Sequence, residues 1–177
     1  MMTTQGTTPP KLEVVRGDIT QMSVDAIVNA ANRAMRGGGG VDGAIHRAGG
    51  PAILEDCIRR FPRGLATGQA GWTTAGNLPS RWVIHVVGPN FGAGETDRSL
   101  LVSCYSNALA VADELGVSTL AFPLISAGVY RWPIKDAAQA GIDTIMSTPT
   151  RVQQVFLVGF VPSAVIELEQ ALSRHES

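Results

Sequence analysis

One carboxylate, Asp42, stands at the junction of four consecutive glycines, Gly37–Gly40, with the helix-like segment Val41–Ala48. A glycine-rich loop running into a helix N-terminus lets backbone N–H groups converge on an anion without obstruction by Cβ atoms. A carboxylate beside such a cradle repels a ligand phosphate, so its presence calls for a reason. One reason is structural, because the helix macrodipole stabilises an acid in the first turn by roughly 0.3–1 kcal/mol when exposed. The other is chemical: a reactive carboxylate set at the end of an anion cradle. The glycine run is fused on its far side to a polar and small-residue segment, Asn29–Arg36, and to the apolar run Val24–Val28. Glycines placed between a strand and a helix serve close approach to the backbone better than they serve a floppy connector. Gly38, Gly40 and Gly43 form a formal G-x-G-x-x-G. However, eight residues separate Val28 from Gly37, and no acid lies near Phe61–Arg63, so a standard Rossmann site is not expected. No G-x-x-x-x-G-K-[ST] exists, which excludes a P-loop.

A second loop, Ile125–Trp132, reads ISAGVYRW. Ser126, Ala127 and Gly128 free backbone N–H groups to meet another phosphate. Ser126 is not part of G-x-S-x-G, so a nucleophile elbow has no support. Tyr130 and Trp132 are either packing residues or the wall of a sugar or base pocket, and Phe160 is either a core residue or a stacking surface. Asp18, in Gly17–Thr20, suits an Asx turn or helix cap as well as a ligand contact. His85 lies inside the apolar run Trp82–Val87 and is read as a hydrogen-bonded core residue in preference to a catalyst.

These residues need elements to hold them. Strands are expected at Lys11–Arg16, Val24–Val28, Gln69–Thr74, Trp82–Val87, Ser118–Leu124 and Val152–Phe160. Helices are expected at Val41–Ala48, Pro51–Arg60, Thr96–Leu115, Pro133–Met146 and Pro162–Leu172. The alternation indicates an α/β layered fold with helices on both faces of a largely parallel sheet. In such sheets ligands bind at the carboxyl ends of strands. The loops after Arg16, Val28, Leu124 and Phe160 all fall there. Two glycine-bearing loops facing one cleft suit a diphosphate with flanking groups, and leave NAD, ADP-ribose, a nucleotide sugar and coenzyme A as candidates.

The 177 residues suit one domain, and 45% hydrophobic against 16% charged residues argue for a globule with a substantial core. A net charge of −1 provides no broad basic field for duplex binding. Cys57 and Cys104 lack metal-type spacing and read as reduced structural thiols, with a disulfide left open. Met1–Pro10 is Thr/Gln/Gly/Pro-rich and reads as a disordered tail without signal-peptide character. No run approaches the roughly 18 apolar residues of a membrane helix. A cytoplasmic monomer without metal or cofactor is expected.

Five blocks in order carry a resemblance across nearly the whole chain beyond the tail: GDIT at Gly17–Thr20, VDAIVNAAN at Val24–Asn32, GGGGVDGAIHRAGG at Gly37–Gly50, VIHVVGP at Val83–Pro89 and FPLISAGVY at Phe122–Tyr130. Together they resemble a macrodomain, most nearly the MacroD-type ADP-ribosyl hydrolases. The resemblance implies a three-layer α/β/α sandwich over residues 11–177, with a mixed, largely parallel central sheet of about six strands. It implies that Asp18 accepts a hydrogen bond from the adenine amino group, that the Ile19 backbone contacts the ring, and that Phe160 lies against it. Gly38, Gly39, Gly40 and Val41 would line the diphosphate from one side, and Ser126, Ala127, Gly128, Val129 and Tyr130 from the other. Asn32 and Asp42 would reach the distal ribose as the catalytic pair, with Asn29 among the substrate contacts. The implied reaction cleaves the ester between the distal ribose and an acidic protein side chain, and deacetylates O-acetyl-ADP-ribose. The implied partners are ADP-ribose and mono-ADP-ribosylated proteins. A non-catalytic reader of ADP-ribose, and a hydrolase of ADP-ribosylated nucleic acid, are the alternatives. The chain departs from the pattern GVYGFP by reading Gly128-Val129-Tyr130-Arg131-Trp132-Pro133. Arg131 and Trp132 are therefore expected to enlarge the rim near the distal ribose.

Overall fold

The computed structural model describes residues 8–177; the first seven residues of the expected tail lie outside it, and Pro10 is already buried at the entry to the first strand. Six strands form one sheet: β1 (Lys11–Arg16), β2 (Ala26–Ala31), β3 (Ala70–Thr74), β4 (Trp82–Val87), β5 (Thr119–Phe122) and β6 (Gln154–Gly159). Their order is β1-β6-β5-β2-β4-β3; every pairing is parallel except β3 with β4. Five α-helices cover it: α1 (Gly40–Gly49), α2 (Pro51–Arg60), α3 (Arg98–Leu115), α4 (Ile134–Ser147) and α5 (Pro162–Glu176).

Strand side chains alternate between faces, and here they feed two cores. Ala26, Val28, Ile84, Val86, Leu120 and Phe122 pack with α3, α4 and α5, while Ile27, Ala31, Val83, Val87 and Ala121 pack with α1 and α2. The sheet is thus sandwiched between helical layers, as the α/β/α expectation requires. Apolar runs buried on both faces are what parallel strands need, because helices close both sides. Cys104 lies in the first core and Cys57 in the second, both as free thiols, so the sheet separates them.

Most element boundaries fall within one to three residues of the sequence expectation. The informative difference is β2. It was expected to end at Val28 but continues to Ala31, with Asn29, Ala30 and Ala31 in register with His85, Val86 and Val87 of β4. Asn29 is therefore a strand residue facing α1, and not part of the polar loop. The reason is tertiary: its amide finds partners on β4 and α1, which propensity along one strand cannot reveal.

Asp25, just before β2, ties the far ends of the sheet together. Its Oδ2 accepts from the N–H groups of Ser118 (2.8 Å) and Thr119 (3.2 Å), which fixes β5 beside β2. With their starting ends aligned, the carboxyl ends of β2 and β5 emerge side by side, and the two glycine-bearing loops leave from there.

Candidate functional site

A cleft of about 800 Å³ opens at the carboxyl end of the sheet. Loops after β1, β2, β4, β5 and β6 line it, so the four loops singled out from the sequence meet in one place and are joined by Gly88 after β4.

The loop after β2 supplies one end of the cleft. Asn32 is braced by its own loop: its Oδ1 accepts from Met35 N–H (3.2 Å) and its Nδ2 donates to Gly37 O (3.1 Å). Asp42, in the first turn of α1, is only 4% exposed. Its Oδ1 accepts from Asn29 Nδ2 at 2.8 Å, and His46 Nε2, one turn on, lies 3.3 Å from the same oxygen. Oδ2 has no protein partner among the described residues. Gly38 shows where that free oxygen looks: a Cβ at position 38 would sit 3.2 Å from both Asp42 Oδ2 and Asn32 Nδ2. The two side chains converge over a glycine, and only a residue without a Cβ leaves the gap between them open.

The same helix supplies the first anion cradle. Gly39 is the N-cap and offers no side-chain hydrogen bond. The N–H groups of Gly40, Val41 and Asp42 have no acceptor within the helix, and those of Gly38 and Gly39 donate to nothing among the described residues. An uncapped helix start with free donors and a positive dipole end suits an anion. Arg47, which the sequence reading missed, also lines the cleft and carries a guanidinium over Gly43. The sequence signal was its spacing, one turn beyond Gly43 on the helix that starts the cradle.

The loop after β5 supplies the second cradle. It is closed by its own hydrogen bonds, Arg131 N–H to Gly128 O (3.0 Å) and Trp132 N–H to Ser126 O (2.9 Å). The N–H groups of residues 127–130 remain without a protein acceptor among the described residues. Ser126 adopts a left-handed φ of 66° and Arg131 one of 63°; non-glycine residues hold such angles only when the surrounding structure imposes them. Ser126 Oγ is buried without a partner, and a Cβ at Gly88 would collide with it, so Gly88 is required for the loop to close. Tyr130 lines the cleft; burial, and then the nearby Glu95 carboxylate, raise its hydroxyl above the ordinary value.

At the opposite end, Asp18 caps the short turn Ile19–Gln21: its Oδ1 accepts from Thr20 N–H (2.9 Å) and Thr20 Oγ1 (2.7 Å). It is exposed and lines the cleft, as does Ile19. The capping role and the site position therefore coexist. Phe160 is 76% exposed on the rim, which excludes the core role.

Two expectations are corrected. Trp132 does not enlarge the rim. It is 4% exposed, its indole N–H donates to Asp136 Oδ2 (2.9 Å), and its ring meets Phe91 edge-on at 5.3 Å. Burying an indole requires a partner for its N–H, and Asp136 at the start of α4 supplies it. Arg131 alone points outward, lying over Gly92. Asn29 does not line the cleft either; it is fully buried behind Asp42 and touches the site only through that carboxylate. His85 is the hydrogen-bonded core residue expected, and it contacts Asn29. Among the described residues no group of three or more His, Cys, Asp or Glu side chains is arranged to hold a metal ion.

Known proteins resemble this chain over most of its length. The chain is 56% identical over 153 residues to a Macro domain-containing protein of Streptomyces coelicolor, covering 84% of this chain and 90% of that one. It is 48% identical over 154 residues to the O-acetyl-ADP-ribose deacetylase of Salmonella typhimurium, covering 84% and 86% respectively. A mutant macrodomain of Oceanobacillus iheyensis with ADPR superposes at a TM-score of 0.88, with 39% identity over 93% of each chain. A Trypanosoma brucei macrodomain in complex with ADP-ribose superposes at 0.84, with 33% identity over 91% of this chain and 68% of that one. The Macro domain family model itself matches residues 28–141, and the chain belongs to that family.

Proposed function

We propose that this protein binds ADP-ribose and hydrolyses the ester joining its distal ribose to an acyl group, both in O-acetyl-ADP-ribose and where the acyl group is a glutamate or aspartate side chain of a modified protein. The observation that carries the reading is the division of labour in the Asp42 carboxylate: one oxygen is bonded to Asn29, the other is free over Gly38 and opposite Asn32. A reader of ADP-ribose needs only the cradles. An anchored carboxylate with one free oxygen beside an uncapped helix start adds a base where the terminal sugar would lie.

In this reading the diphosphate takes the N–H groups of residues 38–42 and 127–130, and the adenine lies between Asp18 and Phe160. Asn32 holds a ribose hydroxyl. Asp42 Oδ2 accepts a proton from a water as that water adds to the acyl carbon. The ester C–O bond then breaks, the proton returns to the departing ribose oxygen, and the products are ADP-ribose and a carboxylic acid. General base assistance contributes about 10²–10⁴-fold, a scale that suits an ester already labile in water. The Salmonella relative is named an O-acetyl-ADP-ribose deacetylase, which supports the acyl-ester assignment.

The test is release of label from an acid-linked mono-ADP-ribosylated protein, run beside a serine-linked one and O-acetyl-ADP-ribose. The acid-linked and acetyl substrates are expected to be cleared. Retention of both with intact ADP-ribose binding would make the protein a reader instead.

A further inference from the structure

We propose that His85 and Thr73 are positioning residues for Asp42, acting through a hydrogen-bond chain that crosses the sheet from its edge to the reaction site. The inference rests on the hydrolase reading above and extends it to residues outside the cleft.

The chain can be followed proton by proton. Thr73 Oγ1 lies 2.9 Å from Thr74 O, and a carbonyl only accepts, so the hydroxyl proton goes there. The same Oγ1 must then accept from His85 Nε2 at 2.8 Å, which places the ring proton on Nε2, with Cys57 Sγ at 3.8 Å from that nitrogen as a weak second acceptor. Nδ1 is left bare and accepts from Asn29 Nδ2 at 3.0 Å. The second amide proton of Asn29 goes to Asp42 Oδ1 at 2.8 Å. All four groups lie on the α1/α2 face of the sheet: Asn29 and His85 are register partners on β2 and β4, and Thr73 stands on β3 beside them. Burial drives the His85 imidazole down to about 4, against the pull of Asp42, so the ring is neutral and a bare Nδ1 is available at ordinary pH.

The amide of Asn29 has one workable orientation. Turned over, its oxygen would face the Asp42 carboxylate and the Nδ1 lone pair together. The observed orientation leaves Asn29 Oδ1 buried without a partner. A buried orphan acceptor is tolerated only when stronger bonds elsewhere fix the group. Here those bonds are the two made by Nδ2, and one of them depends on the tautomer that Thr73 selects. A core histidine satisfied for its own sake would not need to end on the oxygen that anchors the proposed base. Thr73 is fully buried on the edge strand and touches no part of the cleft, so the chain is the polar connection by which it reaches Asp42.

The experiment compares the full chain with Thr73→Val, which has nearly the same shape, and Thr73→Ser, which keeps the hydroxyl. Turnover of O-acetyl-ADP-ribose, calorimetry with ADP-ribose and the long-range ¹H–¹⁵N spectrum of the His85 ring are measured on each. Thr73→Val is expected to lower kcat about tenfold with ADP-ribose Kd unchanged within about twofold, and to remove the Nε2–H signature; Thr73→Ser restores both. The same split is expected between His85→Leu and His85→Gln, whose amide oxygen can still accept from Asn29; this pair keeps the test open should Thr73→Val not fold. Wild-type kcat in Thr73→Val and His85→Leu, or equal losses of turnover and ADP-ribose affinity, overturns the proposal. Wild-type protein that cleaves no ester contradicts the hydrolase reading instead. The ring spectrum then decides the chain by itself, and an Nδ1–H tautomer in wild type overturns it.

Discussion

At the scale of single residues, the site turns on a gap kept open by a missing Cβ. Gly38→Ala places a methyl 3.2 Å from both Asp42 Oδ2 and Asn32 Nδ2. It is expected to lower turnover by about tenfold or more while the protein melts within a few degrees of wild type, checked by kinetics beside thermal denaturation. Phe160→Ala removes an exposed ring from the opposite end. It is expected to weaken ADP-ribose by about 1 kcal/mol, roughly fivefold in Kd by calorimetry, and to leave kcat at saturation unchanged. Asp42 stood out in the sequence because the glycine run leads into its helix, whereas Asn32 was marked only by the family resemblance, and Phe160 at a strand end read equally as core or rim. Trp132 and Asn29 were misplaced for a common reason. A tryptophan in a loop reads the same whether it faces solvent or Asp136, and an asparagine after an apolar run reads as a loop unless its cross-strand partner is known. Arg47 escaped because its one signal, a place one turn beyond Gly43, is shared by any arginine at that spacing on a helix.

The elements that carry the cradles are held from outside the cleft. Trp132 closes the loop after β5 and is pinned by Asp136, which also takes Arg98 Nε at 3.1 Å and so joins α3 to α4. Burial would raise the Asp136 carboxyl; the bonds from Arg98 and Trp132 hold it below the usual carboxylate range. Trp132→Phe keeps the ring and deletes the N–H. It is expected to cost about 1 kcal/mol and to lower Tm by about 2–4 °C, with the relative rates on acetyl and protein-linked substrates unchanged. A change in that preference would return Trp132 to the rim. Element type and order were readable throughout, since apolar runs of strand length alternate with helical periodicity. Element ends were less so: β2 ran three residues past its expected end because pairing with β4, not local composition, decides where a strand stops.

For the whole molecule, His85 and Asp56 are two of the ionisable groups whose proton affinities differ between the folded and unfolded chain, and stability should follow pH accordingly. His85 falls from an ordinary 6.5 to about 4, first through burial. As pH drops below 6.5 the unfolded chain binds this proton before the folded one does. The His85 contribution is therefore complete above pH 6.5 and declines towards pH 4. Asp56 acts lower on the scale. Burial would raise its carboxyl, but bonds from Arg59, Thr74 N–H and Arg60 hold it below 3.8, so its contribution stands above that value and is lost beneath it. Urea denaturation across this range should show stability falling from about pH 6.5 downward, with the upper limb flattened in His85→Gln and the acid limb flattened in Asp56→Asn. The fold class was readable from alternation alone. The network from Thr73 to Asp42 was not, because it links residues from 12 to 56 positions apart in the chain.

The central claim is that one carboxylate turns an ADP-ribose cradle into a hydrolase. Asp42→Asn tests it most directly, since the amide keeps the shape and can still accept from Asn29. Calorimetry with ADP-ribose and turnover of O-acetyl-ADP-ribose on the same preparation should show affinity within a few-fold of wild type and kcat reduced by about 10² or more. Turnover at the wild-type rate in Asp42→Asn would contradict the account.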